Sequence, residues 1–311
     1  MGSTSSIGAT LAQDRPPSKR DRNMIRPKFI RSLVLLGQAA FLAACPSAPP
    51  SEDPSLDQIL SEERPGKRSE VIAVADDVTE KILMFGGNEA PIVNQIPLAT
   101  YTGETWLFEP SYGWTELAID GPHERGRYGA ALDPREGRAL LFGGRFRPEG
   151  QSGDYDLFDD LWAFDFESQE WTLLDDGTEG GPAARYYPQV AWSTEDNALY
   201  VYGGLTNNDP LIFQRSSELW RWTEEDGWEE QETEGNAPSP RAFYGSTYDG
   251  SRNRLVLFAG QVGDFQSLAF NDLFSLDLST GTWTELHGGG RARRLPECIL
   301  TCSTTKLAIA S

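Results

Sequence analysis

Few side chains in this sequence have the types and spacing that catalysis or metal binding demands. Only two histidines occur, His123 and His287, both in connections between repeated segments. Three cysteines, Cys45, Cys298 and Cys302, do not make a disulfide framework. Cys298 and Cys302 either pair with each other after export or stand as two thiols, and no histidine is near enough to complete a zinc site. There is no Gly-x-Ser-x-Gly elbow, phosphate-binding glycine loop or His-Glu-x-x-His helix. Carboxylates are plentiful, and a hydrolase or lyase acting on sugars through a carboxylate pair stays open as an alternative; abundance by itself singles out no pair. The stretch Asp154–Asp160 (DYDLFDD) offers hard oxygens to Ca²⁺ or is simply a solvated loop, and it lacks the glycine-centred spacing of a calcium loop. No metal and no cofactor are expected, and the chain reads as a binding module in preference to an enzyme.

The charge is strongly acidic, −20 overall, and unevenly placed. Residues 1–44 hold seven Lys/Arg against two Asp/Glu, which leaves 20 basic and 45 acidic residues beyond them. Such a body repels nucleic acid and anionic lipid surfaces, so neither is an expected partner. Nine Trp, 31 Gly and 20 Pro spread along 311 residues suit an all-β chain with many tight turns.

The first segment is an address. Residues 1–23 are a polar extension ahead of Met24, the expected true start. Arg26, Lys28 and Arg31 then precede an apolar run, SLVLLGQAAFLAA, too short to span a bilayer comfortably. Residues 24–45 read as a signal peptide, and its end, Leu42-Ala43-Ala44-Cys45, resembles the lipobox of bacterial lipoproteins. The resemblance implies lipidation of the Cys45 thiol and cleavage before it, so that the membrane is met through the lipid anchor alone. The implied location is the cell envelope, at the outer membrane or surface in a Gram-negative host. Residues 46–66, rich in Pro, Ser and acid, form an extended tether.

From residue 67 to residue 290 the sequence repeats with a period near 57. An apolar run ends in Gly86-Gly87, Gly143-Gly144, Gly203-Gly204 and Ala259-Gly260. An aromatic follows at Trp106, Trp162, Trp220 and Phe274, and a second at Trp114, Trp171, Trp228 and Trp283. An arginine opens each unit, read as Arg68, Arg127, Arg185 and Arg241. Each unit divides into four short strands, with the variable segment between the second and third. A lone four-stranded sheet cannot bury both faces, so successive sheets must stack, the Trp residues supplying rigid area between them.

Arginine, apolar run with Gly-Gly, acidic-Leu-Trp-x-Phe-Asp and Trp-Thr-x-Leu together resemble the Kelch family, as in Asp160-Leu161-Trp162-Ala163-Phe164-Asp165 with Trp171-Thr172-Leu173-Leu174. The resemblance implies an all-β Kelch-type β-propeller with four clear blades, fewer than the family's usual five to seven, in an incomplete or degenerate ring. The tail, residues 291–311, is either half of a fifth blade, with Lys306 where Lys81 stands, or an out-of-frame likeness. An open ring exposes blade edges, so the chain is expected as a monomer or as a dimer through them. Copper-radical oxidation, which galactose oxidase performs on such a propeller, needs ligands that two histidines do not supply.

Recognition is then expected from the variable loops 88–103, 145–158, 205–217 and 261–270, which a rigid scaffold displays. Their candidates are Tyr101, Arg145, Phe146, Arg147, Phe213, Arg215 and Phe265. The unit-opening Arg68, Arg127, Arg185 and Arg241 either form a basic ring for an acidic ligand or pair with acids and carbonyls inside the blades. The expected partner is a protein or glycan at the cell envelope; the alternative to both binding and catalysis is a truncated propeller without independent activity.

Overall fold

The computed structural model describes residues 63–289, except 91, 94–95, 98, 150–153, 179, 208–213 and 263–267, together with the strand Arg293–Arg294. Cys45, the expected signal segment, the part of the expected tether before residue 63, Phe213, Phe265, Cys298, Cys302 and Lys306 lie outside the described residues.

Four antiparallel sheets of four strands follow one another. Blade 1 is Ala73–Asp76, Lys81–Phe85, Thr105–Glu109 and Gly113–Leu117. Blade 2 is Gly129–Asp133, Arg138–Phe142, Leu161–Asp165 and Glu170–Asp175. Blade 3 is Gln189–Ser193, Ala198–Tyr202, Leu219–Thr223 and Gly227–Gln231. Blade 4 is Gly245–Asp249, Arg254–Phe258, Leu273–Asp277 and Thr282–His287, with Glu234–Gly235 added in parallel along its outer strand. The expected four-strand unit is therefore present four times. Arg293–Arg294 pairs antiparallel with Leu268–Ala269.

Turn chemistry closes the hairpins. The Asp76 carboxylate accepts from the Val78 and Thr79 amides, and Asp165 and Asp277 do the same for the two amides that follow in their own turns. First strands of consecutive blades lie against each other, blade 1 on 2, 2 on 3 and 3 on 4, and so form the inner side of the arc.

The core is three layers between blades. Each is organised by one aromatic couple: the ring that ends strand two meets the strand-four indole of the next blade. Phe85 meets Trp171 at 5.3 Å, Phe142 meets Trp228 at 5.2 Å, and Tyr202 meets Trp283 at 5.1 Å between centroids. Tilted and edge-on ring pairs of this kind add about 1 kcal/mol each beyond the area they bury. Leu117 and Leu174, near the ends of the fourth strands of blades 1 and 2, join the first two layers. Trp171 also donates its indole N–H to Thr105 Oγ1 at 3.0 Å, a bond from blade 2 into blade 1.

Glycine before the loop is required by the neighbour. Gly86 and Gly143 have φ of 62° and 71°. A Cβ there would lie 2.6 Å from the carbonyl oxygens of Arg125 and Arg185, each in the following blade. At Gly203 the phenol oxygen of Tyr244 takes that place, 2.8 Å from such a Cβ. The fourth position holds Ala259 at φ 62°.

Candidate functional site

The repeated arginine is a structural clamp, and one of its members is not the residue that the repeat pattern suggested. Arg68, Arg125, Arg185 and Arg241 are equivalent; Arg127 stands two positions further on. In every clamp Nε donates to the carbonyl two residues back and Nη1 to the carbonyl 18 residues ahead, at Gly86, Gly143, Gly203 and Ala259. Each guanidinium also meets the acid two residues before the strand-three aromatic: Glu104 at 2.8 Å, Asp160 at 2.5 Å, Glu218 at 2.8 Å and Asp272 at 2.6 Å. The same acids accept the indole N–H of Trp106, Trp162 and Trp220. Arginine, glycine carbonyl, acid and indole thus form one module that pins the loop to the blade. Burial favours the neutral form of Glu104 and Glu218, yet bonds from the indoles and guanidiniums outweigh it and hold both below the ordinary carboxylate range. Arg68, Arg185 and Arg241 are spent in these modules, so no basic ring of four arginines exists.

Two positions past each clamp arginine the chain takes a left-handed residue: Glu70, Arg127, Tyr187 and Phe243, with φ of 62°, 58°, 56° and 57°. None is glycine, and four such backbones in register mark a built feature. The Arg127 amide donates to Glu70 O at 2.8 Å, and the Tyr187 amide to Arg127 O at 2.7 Å. Leading directly into the first strands, these residues follow the inner arc and display one side chain per blade.

Between blades 1 and 2 that arc gathers the candidate site. Glu70 accepts from Arg127 at 2.6 Å, from Arg145 at 3.0 Å and from the Tyr101 hydroxyl at 2.9 Å. Burial would raise the Glu70 pKa, but the two guanidiniums and these bonds prevail and hold the carboxyl below its usual value. Burial likewise lifts the Tyr101 phenol well above the ordinary tyrosine range. Tyr155 lies under both Arg145 (3.9 Å) and Arg147 (4.2 Å), and Tyr187 lies 4.6 Å from Arg127. Phe146 packs on Tyr101 at 6.0 Å and on exposed His123 at 4.6 Å. Gly126 makes room for this: a Cβ there would come within 2.9 Å of both Glu70 and Tyr101.

The structure therefore joins Tyr101, Arg127, Arg145, Phe146 and Arg147 from the sequence candidates. Arg215 sits apart on blade 3, bridged through its backbone to Leu205. Glu70, Tyr155 and the clamp role of Arg125 escape the sequence reading, although the constant interval of 18 from arginine to the first Gly position distinguishes Arg125 from Arg127. A buried guanidinium, Arg145, and a partly buried one, Arg127, share one carboxylate, and among the described residues their Nε atoms meet no hydrogen-bond partner. Glu70, its carboxyl held below the usual range and engaged by three donors, is poorly suited to act as a general acid. Among the described residues no group of three His, Cys, Asp or Glu is placed to hold a metal ion.

Comparison with known proteins agrees with this architecture. Host cell factor 1 of Homo sapiens is 27% identical over 242 residues, 73% of this chain and 11% of that protein. The flagellar outer arm dynein alpha chain of Chlamydomonas reinhardtii is 31% identical over 157 residues, 48% of this chain and 3% of its own length. The chain thus spans only a small part of these relatives. Among solved structures, YjhT superposes with a TM-score of 0.54 at 12% identity, covering 73% of this chain and 72% of that one, which bears on the fold alone. The family described as Attractin/LZTR1 beta-propeller matches residues 109–295, and the chain belongs to that family.

Proposed function

We propose that this chain is an interaction scaffold that engages a protein partner on its loop face, at the Glu70–Arg127–Arg145–Tyr101 cluster, and is held at the cell envelope through Cys45. The observation that carries the reading is the local charge count. Each clamp arginine has its own acid, whereas Arg127 and Arg145 divide the single carboxylate of Glu70. An incompletely neutralised guanidinium pair beside aromatic rings favours an acidic group on the partner. It is also a place where such a partner finds attraction on a chain of net charge −20. Relatives such as host cell factor 1 support a scaffold on family grounds.

The test uses a fluorescent oligoglutamate peptide and the full chain in an anisotropy titration. Binding should weaken as salt rises, and Arg127→Gln should cost ~10-fold or more, the worth of a charge-assisted hydrogen bond. Arg145 still holds Glu70 in that variant. Equal binding by wild type and Arg127→Gln would remove the cluster from the function.

A further inference from the structure

One ring in the loops stands against two buried guanidiniums. Arg145–Phe146 pairs antiparallel with Asp156–Leu157, a short hairpin within the loop between the second and third strands of blade 2. A spacing of two puts Arg145 and Arg147 on one side of the strand. Arg145 is 4% exposed and Arg147 7%, and they reach the ring of Tyr155, itself 6% exposed, at 3.9 Å and 4.2 Å from its centroid. Like charges that converge in this way repel, the more so where burial keeps water from screening them. The electron-rich face of an aromatic ring attracts a cation, and does so most where water is excluded. Tyr155 thus offsets the repulsion that the strand spacing creates.

The ring is fixed from blade 1 as well. It packs with Ala99 and Tyr101, so the loop of blade 1 closes on the hairpin of blade 2. Tyr101 in turn donates to Glu70 at 2.9 Å, the carboxylate that Arg145 meets at 3.0 Å. Arg145 is therefore held by a face contact to Tyr155 and a charge-assisted bond to Glu70. A stacked guanidinium keeps its N–H groups in its own plane, turned toward acceptors at its edge. The phenol that bonds Glu70 is that of Tyr101, so what Tyr155 contributes is its ring.

We infer that Tyr155 is a positioning residue for acid recognition: its ring sets the plane of the Arg145 guanidinium, so that a partner's acidic group meets a cation already in place. This role rests on the proposed function of the cluster as an acid-binding site, and it adds a requirement that the charge count does not contain, an aromatic ring at residue 155. A side chain ordered beforehand need not be ordered on binding, which is where the affinity comes from.

Two measurements on the full chain test the role. In the first, phenylglyoxal modifies arginine and mass spectrometry reads Arg145 with no peptide present. Arg145 should stay protected in wild type and Tyr155→Phe and react in Tyr155→Leu, which fills the loop without a ring. In the second, the oligoglutamate titration is repeated. Tyr155→Leu should weaken binding ~10-fold or more, the worth of a cation–π contact shielded from water. Tyr155→Phe should bind as wild type does. Arg145→Gln/Tyr155→Leu should bind no more weakly than Arg145→Gln alone, because a ring that acts through Arg145 then has nothing to hold. A urea titration certifies that each variant folds, and Tyr155→Met replaces Tyr155→Leu if the latter does not. Equal protection of Arg145 in wild type and Tyr155→Leu, binding by Tyr155→Phe as weak as by Tyr155→Leu, or additive losses in the double variant would each overturn the inference. A wild-type chain that ignores the peptide would strike down the acid-binding site and the recognition role of Tyr155 with it, while the phenylglyoxal result would still report whether the ring holds Arg145.

Discussion

Replacing Arg125 by Met removes one of the deeply buried clamps while keeping much of the side chain's volume. The guanidinium is 1% exposed and its partner Asp160 18% exposed, so little of their attraction is lost to solvent. Arg125 satisfies His123 O, Gly143 O and both Asp160 oxygens, and stacks on Phe158 at 3.8 Å. Met leaves a mostly buried carboxylate without its cation, which costs about 3–5 kcal/mol, and strands two carbonyls besides. Arg127→Met should cost far less, about 1–2 kcal/mol, because Glu70 keeps Arg145 and Tyr101. Urea titrations of both variants, with the m-value checked for change, measure the difference. The double variant Arg125→Met/Asp160→Asn should recover part of the loss, since the second change discharges the stranded acid. Equal destabilisation by Arg125→Met and Arg127→Met would refute the assignment of the clamp, and with it the account of why loops hold their place.

Gly86→Ala should destabilise by several kcal/mol through its clash with Arg125 O, whereas Ala259→Gly should be neutral or stabilising by up to about 1 kcal/mol; thermal melts of both decide. Trp171→Ala opens a cavity between blades 1 and 2 and should cost about 3–5 kcal/mol in the same assay. Glu70, Glu104 and Glu218 have folded pKa values below their unfolded ones, so their stabilisation is complete above the unfolded value of about 4.3 and is lost as pH falls through the folded values. The urea midpoint should accordingly hold near neutrality and fall below about pH 4.5, and a midpoint rising with acid would contradict this. Cys45→Ser should shift the chain from membranes to the soluble fraction, and unchanged sedimentation with membranes would refute the anchor.

The fold was legible because its landmarks are backbone necessities repeated four times. Gly86-Gly87 and its equivalents, the strand-three aromatics and the strand-four Trp residues recur wherever one blade must lie on the next. The candidate site was legible only in part. Tyr101, Arg145 and Arg147 stand out as large side chains in variable loops, but Glu70 resembles any other acid among 47. Its importance comes from blade packing, which sets it opposite Arg127 and Arg145, residues 57 and 75 positions later. Arg127 misled for a related reason: next to Tyr128 it looks like a repeat landmark, yet its register follows the left-handed arc and not the clamp. Ala259 reads as a tolerated deviation, and the structure shows it at φ 62°, a left-handed backbone that its three equivalents give to glycine.

The left-handed arc has a consequence for how such a scaffold diversifies. Glutamate, arginine, tyrosine and phenylalanine occupy the same conformation at positions 70, 127, 187 and 243. The bend is thus imposed by the surrounding hydrogen bonds and clamps, and the chemistry of the residue there is free to drift. Acid, base, phenol and plain ring share one backbone at these four stations, so a change of side chain there asks for new neighbours and leaves the bend itself alone, which gives such a scaffold a ready set of positions for choosing new company.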